Sequence, residues 1–218
     1  METRKQPIVR IFYTSVKTEF QSSQMQQYLD VLTPPMRDTI MQYHNWRDRQ
    51  CSLFGKLLLR MGLESFGLQP GDLSQMLVTD YDRPYLASGI DFNISHSGDQ
   101  VICAVSTDVK VGIDIEQVRP VDLTEYQITM TEKQWKHIYE SEEPYREFFN
   151  LWALKESVIK ADGRGLSIPL TSLETDYHRL HYDDRSWYVT PLRSPQDYAA
   201  YLATNLPAPR IEYISATF

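Results

Sequence analysis

At 218 residues, with 42% hydrophobic and 12% aromatic content, the chain is long enough to bury a core as one large or two small units. Its 22 basic against 29 acidic side chains leave a formal charge of −7, which excludes a general nucleic-acid binder, since that needs a basic surface. No apolar run reaches a membrane span, and M-E-T-R-K-Q-P is too polar for a signal peptide; Cys51 and Cys103 sit in apolar patterns, so a reduced, buried pair in a cytoplasmic protein is expected.

An edge strand is predicted over 8–14, then a polar helical segment to Leu32 and a break at Pro34-Pro35. Over 37–62 the pattern is helical, with Leu53, Phe54, Leu57, Leu58 and Met61 on one face and Gly62 or Gly67 as the stop. Arg49, Lys56 and Arg60 share another face, with Arg47 near it. The ordinary reading is a solvated stripe; the functional one is a seat for a terminal phosphate or an acidic protein. D-Y-D-R-P-Y-L at 80–86 reads as a turn or short extended stretch, because Pro84 biases its predecessor away from helix. Strands at 90–95, 101–106 and 111–116 follow, joined by turn chemistry as an antiparallel meander. A helix begins at Thr131-Glu132, capped by Thr129 or Thr131, and another fills 145–161 before D-G-R-G stops it. Strands and loops make up the remainder. Two helix-and-strand halves, 1–108 and 109–218, are expected to pack intimately with an active site between them.

The chemistry is concentrated in two stretches. In V-G-I-D-I-E, Val111, Ile113 and Ile115 alternate against Gly112, Asp114 and Glu116, so one strand face carries both carboxylates, roughly 7 Å apart. In W-A-L-K-E-S-V-I-K, Glu156 and Lys160 share a helical face. Phe148, Leu151, Trp152 and Ile159 form that helix's buried stripe, and Lys155 on it either snorkels or points into a lined pocket. Each pair alone is more often ordinary: D-x-E as a solvated strand face, Glu156 with Lys160 as a surface ion pair. Together the three carboxylates suit a hard cation acting on a phosphate. F-N-I-S-H-S-G-D at 92–99 ends a strand in a polar turn where Ser95, His96 and Ser97 offer donors to phosphate oxygens.

The ordered series is more specific than any member. R-P at 83–84, N-I-S-H-S at 93–97, G-I-D-I-E at 112–116, W-A-L-K-E-S-V-I-K at 152–160 and G-x-G-L-S-I-P at 163–169 resemble the 4′-phosphopantetheinyl transferases of the monomeric, Sfp-type class. The resemblance implies an α+β fold of two similar α+β halves related by a pseudo-twofold axis, with coenzyme A between them. It implies transfer of phosphopantetheine from coenzyme A to a serine of an apo acyl or peptidyl carrier protein, releasing adenosine 3′,5′-bisphosphate. On the matching positions, Asp114, Glu116 and Glu156 would hold Mg²⁺, with Mn²⁺ as the alternative. Glu156 would deprotonate the carrier serine, directly or through water. Lys160 and His96 would contact the pyrophosphate, with Lys155 nearby, and Ser95, Arg83 and Pro84 would lie against the adenosine end.

Four positions depart from the family pattern. Cys51 stands where D-x-x-R-x-L-x-G has arginine, Met36 and Thr39 replace basic residues, and Asp82 replaces a glycine. Arg49 or Arg47 is the expected compensation, which leaves the seat of the coenzyme A 3′-phosphate open. The resemblance also suggests carrier docking over 123–130, with Tyr126, Ile128 and Met130 as an apolar patch; inward packing is the even alternative. Two rivals remain: a catalytically weak coenzyme A or carrier-binding relative, and a metal-dependent phosphodiesterase.

Overall fold

The computed structural model describes residues 6–218, so the polar stretch over 1–5 lies outside them. In chain order come β1 (Ile8–Ser15), α1 (Ser22–Leu29), α2 (Pro34–Met41) and α3 (Trp46–Ser65). The short strands β2 (Leu77–Val78) and β3 (Pro84–Tyr85) pair with each other. Then follow β4 (Asp91–Ser97), β5 (Gln100–Ser106) and β6 (Val111–Gln117). A 3₁₀ turn (Leu123–Thr129) leads to α4 (Glu132–Glu140) and α5 (Pro144–Asp162). Two further 3₁₀ turns (Gly165–Ser167 and Leu170–Ser172) precede β7 (Arg179–Tyr182), β8 (Arg185–Pro191), β9 (Tyr198–Thr204) and β10 (Arg210–Ser215).

The ends of the helices have local causes. Pro34 and Pro144 sit in the first turns of α2 and α5, where a missing N–H costs nothing. Asn45 caps α3 by accepting from Arg47 N at 2.8 Å, so the predicted 37–62 helix is two helices separated by a short loop. Thr131 and Gln134 form a capping box on α4. Gly163 ends α5 with φ of 90°, a left-handed conformation that favours glycine.

The strands form two four-stranded sheets, ordered β10-β1-β5-β4 and β6-β9-β8-β7. Helix α3 buries Leu53, Leu57 and Leu58 against the first sheet, and α5 buries Phe148, Leu151 and Val158 against the second. A third cluster joins the sheets, with Val9, Ile11, Ile102 and Ala104 meeting Val111, Ile113, Ile115 and Leu202. The fold is α+β, one long helix and one sheet to each half. Three expectations change. Strand β1 is interior, not an edge, because β10 pairs with it in parallel. That last strand thereby crosses from the 109–218 stretch into the first sheet. The meander also breaks: β6 leaves β4 and β5 and pairs with β9.

What joins β4 to β6 is a row of side chains. Asp91 Oδ2, Asn93 Oδ1, Ser95 Oγ and Ser97 Oγ accept from the backbone N–H groups of Val111, Ile113, Ile115 and Gln117 at 2.7, 2.9, 3.4 and 3.1 Å. Polar side chains at alternate positions of one strand thus satisfy the open amide edge of the other. Arg83 adds to this seam by donating to Asp91 Oδ2 and to Val111 O, both at 3.0 Å. Both cysteines are free and buried, as expected from their patterns. Among the described residues no helix is long and apolar enough to cross a membrane.

Candidate active site

The site lies on this seam, where α5 crosses β6. Gly112 permits the crossing: a Cβ there would stand 2.0 Å from Ser157 O and 2.2 Å from Ala161 N, both backbone atoms. The close approach sets Asp114 and Glu116 against the helix face bearing Trp152, Glu156 and Lys160. Asp114 is 2% exposed, which removes the solvated-face reading of D-x-E. Its Oδ1 accepts from Lys160 Nζ at 2.5 Å and from Ser95 Oγ at 2.8 Å. Glu116 accepts from Ser97 Oγ at 2.8 Å and from Trp152 Nε1 at 3.2 Å.

The electrostatics follow from crowding acids in a partly dry place. Burial pushes the Glu156 carboxyl up to about 7, assisted by the charges of Asp114 and Glu116 and opposed by Lys160. Glu116 is raised by burial and by Asp114. Burial works to lower the Lys160 pKa, but the charge and hydrogen bond of Asp114 outweigh it and the net shift is upward. His96 is lowered, first by desolvation and then by the Lys160 charge, with Lys56 adding to it.

A divalent cation fits this donor set. Asp114 Oδ2 is buried without a hydrogen-bond partner, and the mutual repulsion of three carboxylates is what a cation would relieve. Among the described residues no three His, Cys, Asp or Glu side chains already stand together closely enough to hold a metal ion. The oxygen donors of Asp114, Glu116 and Glu156 are of the kind taken by a hard cation that keeps waters and binds phosphate oxygens, and Asp114 Oδ2 is the one left without a partner.

One consequence concerns stability. An acid whose folded pKa lies above its unfolded value contributes least destabilisation when protonated, so in metal-free protein the Glu156 contribution worsens as pH rises through about 4.5 to 7. Glu156→Gln and wild type are expected to melt alike near about pH 4, with the variant more stable by about 2 kcal/mol near pH 8 after allowance for partial exposure. Thermal melts of both proteins across that range check the sign.

Other predicted site residues separate. Lys155 is fully buried, and its ammonium donates to Thr129 O at 3.0 Å, Gln134 Oε1 at 2.7 Å and Leu170 O at 2.9 Å. All three of its donors are taken by protein oxygens, which leaves none for the cofactor-binding role expected near the pyrophosphate; burial pushes its pKa down to about 8. Arg49 is likewise engaged, donating from Nε and Nη2 to Tyr43 O at 3.0 and 2.8 Å, which closes the α2–α3 loop. Ser95 belongs to the Asp114–Lys160 cluster rather than to an adenosine end. Arg83 Nη2 is engaged on the seam while its Nε is buried without a partner, whereas Pro84 lines a cavity of about 510 Å³ with Met36, Leu59, Phe92, Ile94 and Lys56. Of the three apolar docking candidates, Met130 is 3% exposed and Tyr126 packs on Phe148 and Trp152, leaving Ile128, 86% exposed.

Sequence reasoning placed Lys56 in a basic stripe, read as solvated or as a seat for a terminal phosphate, without singling it out. Lys56 Nζ donates to Ser52 Oγ at 3.0 Å, and burial lowers its pKa. It is the charged residue in the wall of the Pro84 cavity. Cys51, one turn earlier, is 1% exposed and its thiol is pushed up to about 11, mainly by burial, so it is an inert core residue.

Comparison with known proteins identifies the family. The family model described as the 4′-phosphopantetheinyl transferase superfamily matches residues 110–203, and that described as 4′-phosphopantetheinyl transferase, N-terminal, matches 19–108. Similar proteins include 4′-phosphopantetheinyl transferase Sfp of Bacillus subtilis (strain 168), 31% identical over 163 residues, covering 72% of this chain and 70% of that protein. The 4′-phosphopantetheinyl transferase gsp of Aneurinibacillus migulanus is 35% identical over 142 residues, covering 64% and 60%. A 4′-phosphopantetheinyl transferase of Bacillus subtilis is 35% identical over 141 residues, covering 62% of each chain. The matched stretch is thus less than two thirds of the length of the latter two relatives. The chain belongs to the 4′-phosphopantetheinyl transferase superfamily, and within it resembles the Sfp-type members.

Proposed function

We propose that this protein transfers the 4′-phosphopantetheine group of coenzyme A to a serine of an apo acyl or peptidyl carrier protein, in the cytoplasm and as a monomer. The observation that carries the reading is the buried Asp114–Lys160 pair with Glu116 and Glu156 gathered beside it at the seam. A binding protein has no need to hold an ammonium and three carboxylates together in a place that penalises their charge.

In the step itself, the carrier serine Oγ attacks the phosphorus that bears pantetheine. A new P–O bond forms as the bridging P–O bond to the nucleotide breaks, and its electron pair leaves on adenosine 3′,5′-bisphosphate. The serine proton goes to Glu156, directly or through water; a carboxyl near neutrality is matched to that task. Lys160, paired with Asp114, would stabilise the departing charge, and His96, whose pKa the charges of Lys160 and Lys56 help to lower, would assist it. Asp114, Glu116 and Glu156 would hold Mg²⁺, which when bound supplies positive charge to the pyrophosphate oxygens. The Pro84 cavity suits the nucleoside end, with Lys56 and Ser52 beside its phosphate.

The test is release of adenosine 3′,5′-bisphosphate, followed by chromatography, from coenzyme A, apo carrier and Mg²⁺. The reading expects release that depends on the carrier and stops with EDTA. Carrier-independent cleavage of coenzyme A would instead support a phosphodiesterase.

A further inference from the structure

Side chains close the seam between β4 and β6 at both ends. At the Asp91 end, Arg83 bridges Asp91 Oδ2 and Val111 O. At the Ser97 end stands a contact that the reaction above does not use. Tyr198, the first residue of β9, donates from its hydroxyl to Asp99 Oδ1 at 2.6 Å, and Asp99 N donates back to that hydroxyl at 3.2 Å. Asp99 lies in the turn between β4 and β5, while Tyr198 is the register partner of Gln117 in β6. The phenol therefore reaches past the end of β6 into the first half of the chain.

Each side of this contact is fixed in its own half. Tyr198 is buried in the cluster between the sheets, and its carbonyl accepts from Ser194 Oγ at 3.2 Å and from Arg146 of α5 at 3.5 Å. Asp99 O accepts from Val16 N at 2.7 Å, and Asp99 Oδ1 also accepts from Gln100 Nε2 at 2.9 Å. Gly98 makes room for the hydroxyl, because a Cβ there would overlap both it and Gln117 Oε1. Ser97, at the edge of the same turn, is the last rung of the seam. Its Oγ accepts from Gln117 N at 3.1 Å and donates to Glu116 Oε2 at 2.8 Å. Trp152 Nε1 holds the other oxygen, Oε1, at 3.2 Å. Glu116 is thus aimed by one donor from each half, and the Ser97 donor depends on where the β4–β5 turn is held.

We propose that Tyr198 and Asp99 are positioning residues, a latch that holds the β4–β5 turn on β6 so that Ser97 orients Glu116 toward the cation. The inference rests on the transferase reading, because there Glu116 is a ligand of Mg²⁺. Partners that orient a ligand carboxylate tune metal affinity without touching the metal. Neither Tyr198 nor Asp99 lines the Pro84 cavity, so the nucleotide end is left alone. The latch therefore acts on the cation and not on the grip on coenzyme A.

The test uses wild type, Tyr198→Phe, which removes one oxygen and keeps the ring, Asp99→Ala in the turn, and the double variant. Mn²⁺ is titrated in the presence of coenzyme A and followed by electron paramagnetic resonance, and calorimetry measures coenzyme A binding without metal. Tyr198→Phe is expected to weaken Mn²⁺ binding about tenfold, with metal-free coenzyme A affinity within about twofold of wild type. Its transfer is expected to fall about tenfold at low Mg²⁺ and to recover as Mg²⁺ is raised. Asp99→Ala is expected to weaken Mn²⁺ binding about threefold or more, and the double variant to match Tyr198→Phe, since both changes break one contact. A merely structural role would lower the melting temperature and leave the Mn²⁺ constant where it was. An unchanged Mn²⁺ constant in either folded variant, or effects that add in the double variant, overturns the inference alone. Wild type that modifies no carrier while the Mn²⁺ shift persists overturns the transferase reading and keeps the latch. Wild type that binds no Mn²⁺ overturns the latch together with the cation site.

Discussion

Asp114→Asn is expected to lower phosphopantetheine transfer by about a thousandfold while the protein still folds. The substitution keeps the shape of the side chain and an oxygen for Ser95 and Lys160, and removes only the charge. That charge lies 2.5 Å from Lys160 Nζ and is the negative pole of the site. Without it Lys160 loses the partner that keeps its pKa up, and the unpartnered buried oxygen, the position best suited to a cation, becomes an amide. Lys160 keeps some contact with solvent at 29% side-chain exposure, so the loss of stability is about 1–2 kcal/mol rather than the larger cost of a sealed pair. Circular dichroism and a thermal melt confirm folding, and a single-turnover assay reads the rate. Wild-type transfer in a folded variant would remove Asp114 from the chemistry.

The second large effect is expected at Lys56. Met36, Thr39 and Cys51 stand where the resemblance leads one to expect cations, and Lys56 is the charged side chain in the wall of the Pro84 cavity. Lys56→Met is expected to raise the KM for coenzyme A about tenfold or more, because a partly desolvated ammonium meeting a phosphate is a charge-assisted contact. The same variant should handle dephospho-coenzyme A, which lacks the 3′-phosphate, as wild type does. Parallel titrations of the two donors separate the outcomes. An equal loss for both would place Lys56 elsewhere on the nucleotide, and no loss for either would take it out of the site.

Much of the site was legible because its periodicities are local. The alternation in V-G-I-D-I-E puts Asp114 and Glu116 on one strand face, and the four-residue spacing of Glu156 and Lys160 puts them on one helix face. Which faces meet was not legible. The close crossing at Gly112 decides that, and a glycine in a strand has several ordinary explanations. The partition of the strands was misread for a related reason. Neighbouring strands with turn residues between them look like a meander, but the amide edge of β6 is taken by side chains of β4. The signal was present in D-F-N-I-S-H-S, whose alternate positions are all polar with oxygen acceptors. Lys155 was read as snorkelling or pointing into a lined pocket, because a lysine on an apolar stripe asks for a partner. Its partners are two main-chain carbonyls and an amide oxygen from 15 to 26 residues away, which no local pattern displays.

Arg49 gives the converse case. Helical spacing placed it correctly on the face shared with Lys56, but spacing says nothing of what a guanidinium finds at the end of its reach. The preceding loop offers carbonyls of Tyr43 and His44, and the guanidinium closes on them.

The most direct measurement is the intact mass of an apo carrier protein after incubation with this protein, coenzyme A and Mg²⁺, with EDTA and Asp114→Asn as controls. The account predicts a gain of one phosphopantetheine on a single serine, lost in both controls. An unmodified carrier across acyl and peptidyl types, with coenzyme A still bound by the protein, would contradict it and leave a binding relative in its place.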